Sequence, residues 1–361
     1  MKITAVAACA ATSLLLAACG AAPDSTMSSK AAQSAGSASG NGNIKACMVS
    51  DSGGFEDKSF NESGKNGLEK AKAELGVDVA YSESQSVEDF ASNISAQIQQ
   101  NCNLIIGVGF LMAKAMDEAA QAHPEVKFAL VDSTFENAKE NAKALVFNTA
   151  EAAYLAGYAA AGMTGTGKVG TYLGMNIPTT AIFADGFADG IAKYNEDHGT
   201  KVELLGWDKE KQEGVAVGNF EDAPKGKQFT MQLIEQGADI ILPVAGPVGN
   251  GTLAAAKENG NVSVVWVDAD GYLTNADFGS FIMTSVMKEI GAAVFDTVKS
   301  LRDGKWDGSA YVGTIANGGV GIAPFHDFDA KIPAELKSEI DKLKTQIAEG
   351  KLKVESKNTP Q

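Results

Sequence analysis

Residues 44–75 read IKACMVSDSGGFEDKSFNESGKNGLEKAKAEL. The apolar run Ala46-Cys47-Met48-Val49 has the length of a strand, and the polar, Gly-rich turn Ser50-Asp51-Ser52-Gly53-Gly54 ends it. A helical pattern follows, with Leu68, Ala71 and Leu75 on one face. The stretch therefore predicts a strand, a loop and a helix. In open α/β sheets, ligands sit outside the carboxyl ends of strands, where such loops project. This loop carries carboxylates, a hydroxyl, an amide and two Phe rings. That set suits a small polar ligand with a flat ring.

Outward from this unit the alternation continues. Strand-like runs at 77–79, 104–108, 127–131 and 145–147 are interleaved with helical patterns at 87–99 and 114–122. From residue 148 the cycle repeats, with helices at 151–163, 179–194, 225–236 and 251–258 and strands at 168–173, 201–206, 239–244 and 262–267. The order predicts an α/β protein with two doubly wound parallel-sheet lobes. The end departs from the cycle. Residues 281–301 read as one helix with Val286, Ile290, Val294 and Val298 along a stripe, and 332–347 as a last helix. A closing helix that packs back on the first lobe implies several chain crossings, and so a hinge with a cleft. Clefts between domains are favoured ligand sites. The expected lobes are 44–147 plus about 274–310, and 148–273 plus about 311–355.

Ahead of this body, residues 1–18 form a basic start and a short apolar core, the pattern of a secretory signal. Leu16-Ala17-Ala18-Cys19 resembles a bacterial lipobox, with Cys19 as the lipidated first residue. Residues 19–43 are mostly Ser, Ala and Gly and predict a flexible tether. The arrangement places a body of about 320 residues on the extracytoplasmic face of a cell membrane, held through the lipid alone. A net charge of −15 excludes nucleic acid as a partner, since phosphate binding needs a basic surface. Cys47 and Cys102 lie in strands expected to be neighbours, in an oxidising setting, and either pair as a disulfide or remain buried thiols.

Asp132 and Asp268 each follow an apolar strand at its carboxyl end, where a carboxylate can accept hydrogen bonds from vicinal hydroxyls. Phe60 is placed on the cleft face by its polar neighbours. Lys288, by pattern alone, is a solvated helix lysine. The near-P-loop at 162–168 fails, because Val169 stands where a Ser or Thr should bind magnesium and the strand–loop–helix order is reversed. The Asp268-Ala269-Asp270-Gly271 run lacks the Gly and closing Glu positions of a calcium loop. No set of residues assembles a catalytic nucleophile or a metal site. The reading is a binding protein without catalytic residues, metal or cofactor.

The run Asp51-Ser52-Gly53-Gly54-Phe55-Glu56-Asp57-Lys58-Ser59-Phe60-Asn61 resembles the first-strand signature of the basic membrane protein family. Further segments agree in order, among them Gly107-Val108-Gly109-Phe110, Phe128-Ala129-Leu130-Val131-Asp132, Ala245-Gly246, Val267-Asp268 and Thr284-Ser285-Val286-Met287-Lys288. The resemblance covers nearly all of the chain after the tether. It implies a substrate-binding lipoprotein of an ABC transporter, with a type I periplasmic-binding-protein fold that closes on a purine nucleoside. It implies that Asp51, Phe60 and Asn61 hold the base, with Phe60 stacked on it. Asp132, Asp268 and Lys288 serve the base edge or the ribose hydroxyls, and Gly246 lets backbone approach the ligand. It also implies permease subunits as partners of a monomeric receptor. The family often carries a second aromatic where Leu242 stands here. The alternatives are a receptor for a sugar or other small polar ligand and, less favoured, an exported nucleoside hydrolase.

Overall fold

The quoted stretch folds as strand β1 (Lys45–Val49) and helix α1 (Phe60–Leu75). This computed structural model describes residues 44–137 and 140–360. The signal segment, Cys19 and the tether lie outside the described residues. In β1, Ala46 and Met48 point into one apolar cluster with Leu68 and Ala71 of α1, while Cys47 and Val49 point into another. Burial on both faces explains the unbroken apolar run, as expected of a parallel strand. The chain continues through β2 (Asp78–Ser82), α2 (Phe90–Gln99), β3 (Leu104–Val108), α3 (Ala113–Ala122), β4 (Lys127–Val131) and β5 (Ala142–Phe147). Cys47 and Cys102 are joined by a disulfide with Cα atoms 5.9 Å apart, which ties β1 to the segment entering β3.

The second lobe begins with α4 (Thr149–Met163), β6 (Lys168–Leu173), α5 (Pro178–His198) and β7 (Glu203–Leu205). A two-stranded ribbon, β8 (Trp207–Asp208) and β9 (Glu213–Gly214), leads to α6 (Ala223–Glu235), β10 (Ile240–Val244), α7 (Gly249–Asn259), β11 (Ser263–Asp268) and the short α8 (Gly271–Thr274). The chain then runs through β12 (Ile282–Lys288), α9 (Ile290–Arg302), β13 (Tyr311–Gly313), β14 (Val320–Ile322) and α10 (Ala334–Ala348). Helices α4 and α5 pack closely because glycine lines their seam. A Cβ at Gly190 would strike the Tyr154 carbonyl.

Two six-stranded sheets result, ordered β13-β5-β4-β3-β1-β2 and β14-β12-β11-β10-β6-β7. The first is parallel throughout, and in the second only the edge strand β14 runs antiparallel. Two segments correct the expected lobe boundaries. Residues 281–301 are not one helix: Ile282–Lys288 is a strand beside β11 in the second sheet, and only Ile290–Arg302 is helical. Its apolar residues fit helical spacing, but the strand is buried on both faces and so shows no alternation to mark it. Conversely, Tyr311–Gly313 pairs with β5 in the first sheet.

The chain therefore crosses between lobes after β5, after β12 and after β13. These crossings lie side by side. The Asn148 amide donates to the Gly313 carbonyl at 2.8 Å, and the Glu289 amide donates to that of Gly319 at 2.9 Å. Three adjacent strands of backbone form the hinge, and the cleft opens beside it.

Candidate functional site

The loop between β1 and α1 is built around carboxylates that turn inward. Asp57 accepts from the amides of Ser59 at 3.0 Å, Asn61 at 2.8 Å and Glu62 at 3.0 Å, and so satisfies the free N–H groups at the start of α1. Its second role is to hold Asn61, whose Nδ2 donates to Asp57 at 3.1 Å and to Asp51 Oδ1 at 2.7 Å. Asp51 Oδ1 also accepts from the Gly53 amide at 3.1 Å. Burial pushes the Asp51 carboxyl up to about 6, although these two hydrogen bonds pull the other way. The tip of β3 must make room for this group. Gly109 has φ of 123°, and a Cβ there would lie 2.9 Å from Asp51 Oδ2.

Opposite this loop, one cation joins the two lobes. Lys288 ends β12, and only 3% of its side chain is exposed. Its Nζ donates to Asp132 Oδ2 at 2.5 Å and lies 3.2 Å from Asp268 Oδ1. Burial pulls the ammonium down, but the carboxylates of Asp132 and Asp268 outweigh it and hold Lys288 above its ordinary value. Ser59, from the first lobe, donates its hydroxyl to Asp268 Oδ2 at 2.8 Å. The ammonium lies 4.5 Å from the centre of the Phe60 ring and 5.4 Å from that of Phe183, within cation–π range.

These groups surround a cleft between the two lobes, the kind of place where small ligands bind. Asp51, Phe60, Asn61, Asp132, Gly246, Asp268 and Lys288 all line it. Gly246 has φ of 51°, a backbone state that glycine adopts without strain, and begins the turn after β10. Pro247 in that turn faces Gly53 across the mouth. Sequence reasoning missed Asp57, Phe110, Phe183 and Phe220 as cleft residues. Phe183 was visible only as a helix-face aromatic. Phe220 sits in an irregular loop, where no periodicity marks a side chain as inward. Leu242 is not a wall of this cleft. It lies wholly inside the core between β10 and the α4–α5 layer, and Phe183 and Phe220 are the rings that the second lobe presents.

Among the described residues, no group of three His, Cys, Asp or Glu side chains is placed to hold a metal. Asp270 instead accepts from the Tyr272 amide and pairs with His326 at 2.8 Å. No helix among the described residues is long and apolar enough to cross a membrane.

Two parallel-sheet lobes around a cleft at the strand ends define a solute-binding protein of the periplasmic type. A crystal structure of an ABC transporter solute-binding protein from Aeropyrum pernix superposes with a TM-score of 0.79 at 26% identity, covering 88% of this chain and 94% of that one. Residues 44–358 match the family model described as "ABC transporter substrate-binding protein PnrA-like". The chain belongs to this Bmp family of ABC transporter substrate-binding proteins. It is 32% identical to the ABC transporter nucleoside-binding protein BmpA of Lactococcus lactis, over 87% of this chain and 90% of that protein. It is 33% identical to an uncharacterized lipoprotein of Pyrococcus abyssi, over 83% of this chain and 74% of the relative.

Proposed function

We propose that this protein is a lipid-anchored, extracytoplasmic receptor that captures a nucleoside in its cleft and delivers it to the permease subunits of an ABC transporter. The observation that carries the reading is the division of labour around the cleft. Aromatic rings stand on both walls, a fixed carboxylate–amide pair lies on one side, and two carboxylates sharing one ammonium lie on the other. Phe60 offers a stacking face to the base, with Phe183 and Phe220 on the opposite lobe. Asp51 and Asn61 read the base edge, because their hydrogen bonds to each other fix both in place. Asp132, Asp268 and Lys288 take the vicinal hydroxyls of the ribose. The Gly246 turn brings backbone close to the ligand.

Charge narrows the ligand class. Asp51, Asp57, Asp132 and Asp268 line or border the cleft against Lys288, the single cation there among the described residues, which is already paired. A phosphate would meet repulsion there, so the site favours unphosphorylated nucleosides. The Lactococcus relative's nucleoside-binding name and the Pyrococcus relative's lipoprotein name support the ligand and the anchor, with Cys19 as the lipidated residue. Contacts from both lobes to one ligand favour the closed form, which the permease would recognise. The receptor acts as a monomer and does no chemistry on its cargo.

Calorimetric titration of the full chain carrying Cys19→Ser tests this with adenosine, inosine, cytidine, adenosine monophosphate and ribose. Micromolar or tighter binding of purine nucleosides, with monophosphate and ribose far weaker, is the expected result. Ribose binding as tightly as any nucleoside would move the assignment to a sugar receptor.

A further inference from the structure

The cleft does not end at Lys288. A second chamber, open to solvent on one side, shares Phe110, Asp132 and Thr179 with the first and continues past them toward the hinge. Among the described residues its polar lining is neutral apart from Asp132, with Ser133, Thr134 and Thr149 among the hydroxyls. Val146, Phe147 and Ile182 supply apolar surface, and Pro360 of the C-terminal tail closes one side. The tail is held there. Ser356 donates to Asp185 at 2.6 Å, and Asn358 donates to Gln212 at 2.7 Å.

One side chain in this chamber is short of a partner. Thr149 is 1% exposed, and its Oγ1 makes no hydrogen bond among the described residues. The neighbouring Asn148 Oδ1 is equally unpaired. Buried polar atoms are nearly always satisfied, and an exception at a cavity wall marks a place for a ligand or water.

We infer that this second chamber is a subsite for an uncharged, hydrogen-bonding substituent on the 5′ carbon of the nucleoside sugar. The inference rests on the nucleoside reading. With the vicinal hydroxyls held at Asp132 and Asp268, the sugar substituent left over besides the base is the 5′ carbon, two bonds from the carbon that carries the 3′ hydroxyl. Asp132 stands at the boundary of the two chambers, so that arm enters the second one. An amide or ether there meets hydroxyl groups, and an alkyl end meets Val146 and Ile182. No Lys or Arg lines the chamber among the described residues, so a 5′ phosphate finds only the Asp132 carboxylate.

The test titrates the full chain carrying Cys19→Ser with adenosine, 5′-N-ethylcarboxamidoadenosine and adenosine monophosphate. The neutral amide should bind within about threefold of adenosine, and the phosphate at least about a hundredfold more weakly. Thr134 is exposed at the chamber's rim, and Thr134→Trp fills the space from the surface. It should raise the dissociation constant of the amide, relative to that of adenosine, by about tenfold or more. Thr149→Val should raise the same ratio about fivefold, the worth of one neutral hydrogen bond. Adenosine binding with the amide more than tenfold weaker, or a ratio that Thr134→Trp leaves unmoved, overturns this inference alone. No binding of adenosine at all overturns the nucleoside reading and this inference with it.

Discussion

Asp132 and Asp268 occupy matching places in the two lobes and grip the same ammonium. Strands β4 and β11 stand at the same position in their sheets, and one Asp follows or ends each of them. Both residues have left-handed backbone, with φ of 62° and 69°. That state is uncommon for a side chain other than glycine and collects at functional sites. Each lobe thus aims one carboxylate at the cleft, and Lys288 bridges them. The bridge ties a carboxylate of each lobe to one ammonium, and vicinal hydroxyls can take over its hydrogen bonds.

Lys288→Met removes the cation and leaves two buried carboxylates facing each other. Breaking a buried ion pair from one side costs about 3–5 kcal/mol. Urea denaturation should show a loss of that size, along with lost nucleoside binding. Adding Asp132→Asn and Asp268→Asn to Lys288→Met should restore much of the stability, because the uncompensated charge is gone. A triple variant no more stable than the single one would show that Lys288 contributes by packing instead.

The aromatic walls separate two positions for the second ring. Phe60→Ala and Phe220→Ala should each weaken nucleoside binding by about 1–3 kcal/mol, the worth of stacking on a base. Leu242→Ala should instead lower stability by about 2–5 kcal/mol, as buried leucines do. The folded fraction of that variant should keep its affinity. Titration and denaturation of the three variants distinguish the cases, and an affinity loss confined to Leu242→Ala would reverse the assignment.

How far the sequence disclosed this site follows from where each residue sits. The strand–loop–helix from Lys45 to Leu75 was legible because a buried parallel strand is a solid apolar run, and a Gly-rich polar loop must follow it. Asp132 and Asp268 were legible as strand-end carboxylates. Lys288 was not, since β12 is buried on both faces and its apolar spacing imitates a helix. Only the family resemblance placed Lys288 in the cleft. Phe220 was hidden for a different reason: a loop side chain is directed by tertiary contacts, here by packing against Gly174, and sequence spacing carries none of that.

The Cys47–Cys102 disulfide closes a loop with a sequence separation of 55. By chain entropy, a closure of that length stabilises the fold by about 4 kcal/mol. The double variant Cys47→Ala, Cys102→Ala should lose stability of that order in urea. Nucleoside affinity should change little where the protein stays folded, since both residues lie in the core behind the loop. A loss below about 1 kcal/mol would mean that the reduced chain already holds these segments together.

Asp51 makes stability depend on pH in a direction that can be derived. Its carboxyl rises from 3.8 to about 6 on folding, chiefly through burial. A carboxyl raised in this way stabilises the fold in full below its unfolded value, and that contribution disappears as pH climbs through the folded value. The window therefore runs from about pH 4 to about pH 6, and the difference corresponds to about 3 kcal/mol. Asp51→Asn keeps an oxygen to accept from Asn61 and Gly53 but cannot ionise. In urea denaturation the variant and the native chain should match at about pH 4, and the variant should gain up to about 3 kcal/mol relative to native by about pH 7. Binding should move the opposite way. On the proposed reading a base N–H donates to the carboxylate, so nucleoside affinity of the native chain should fall as pH drops below about 6, and the Asn variant should lose that dependence. A stability difference that stays constant with pH would show that Asp51 remains ionised throughout, and would remove it as the source of any pH-dependent binding.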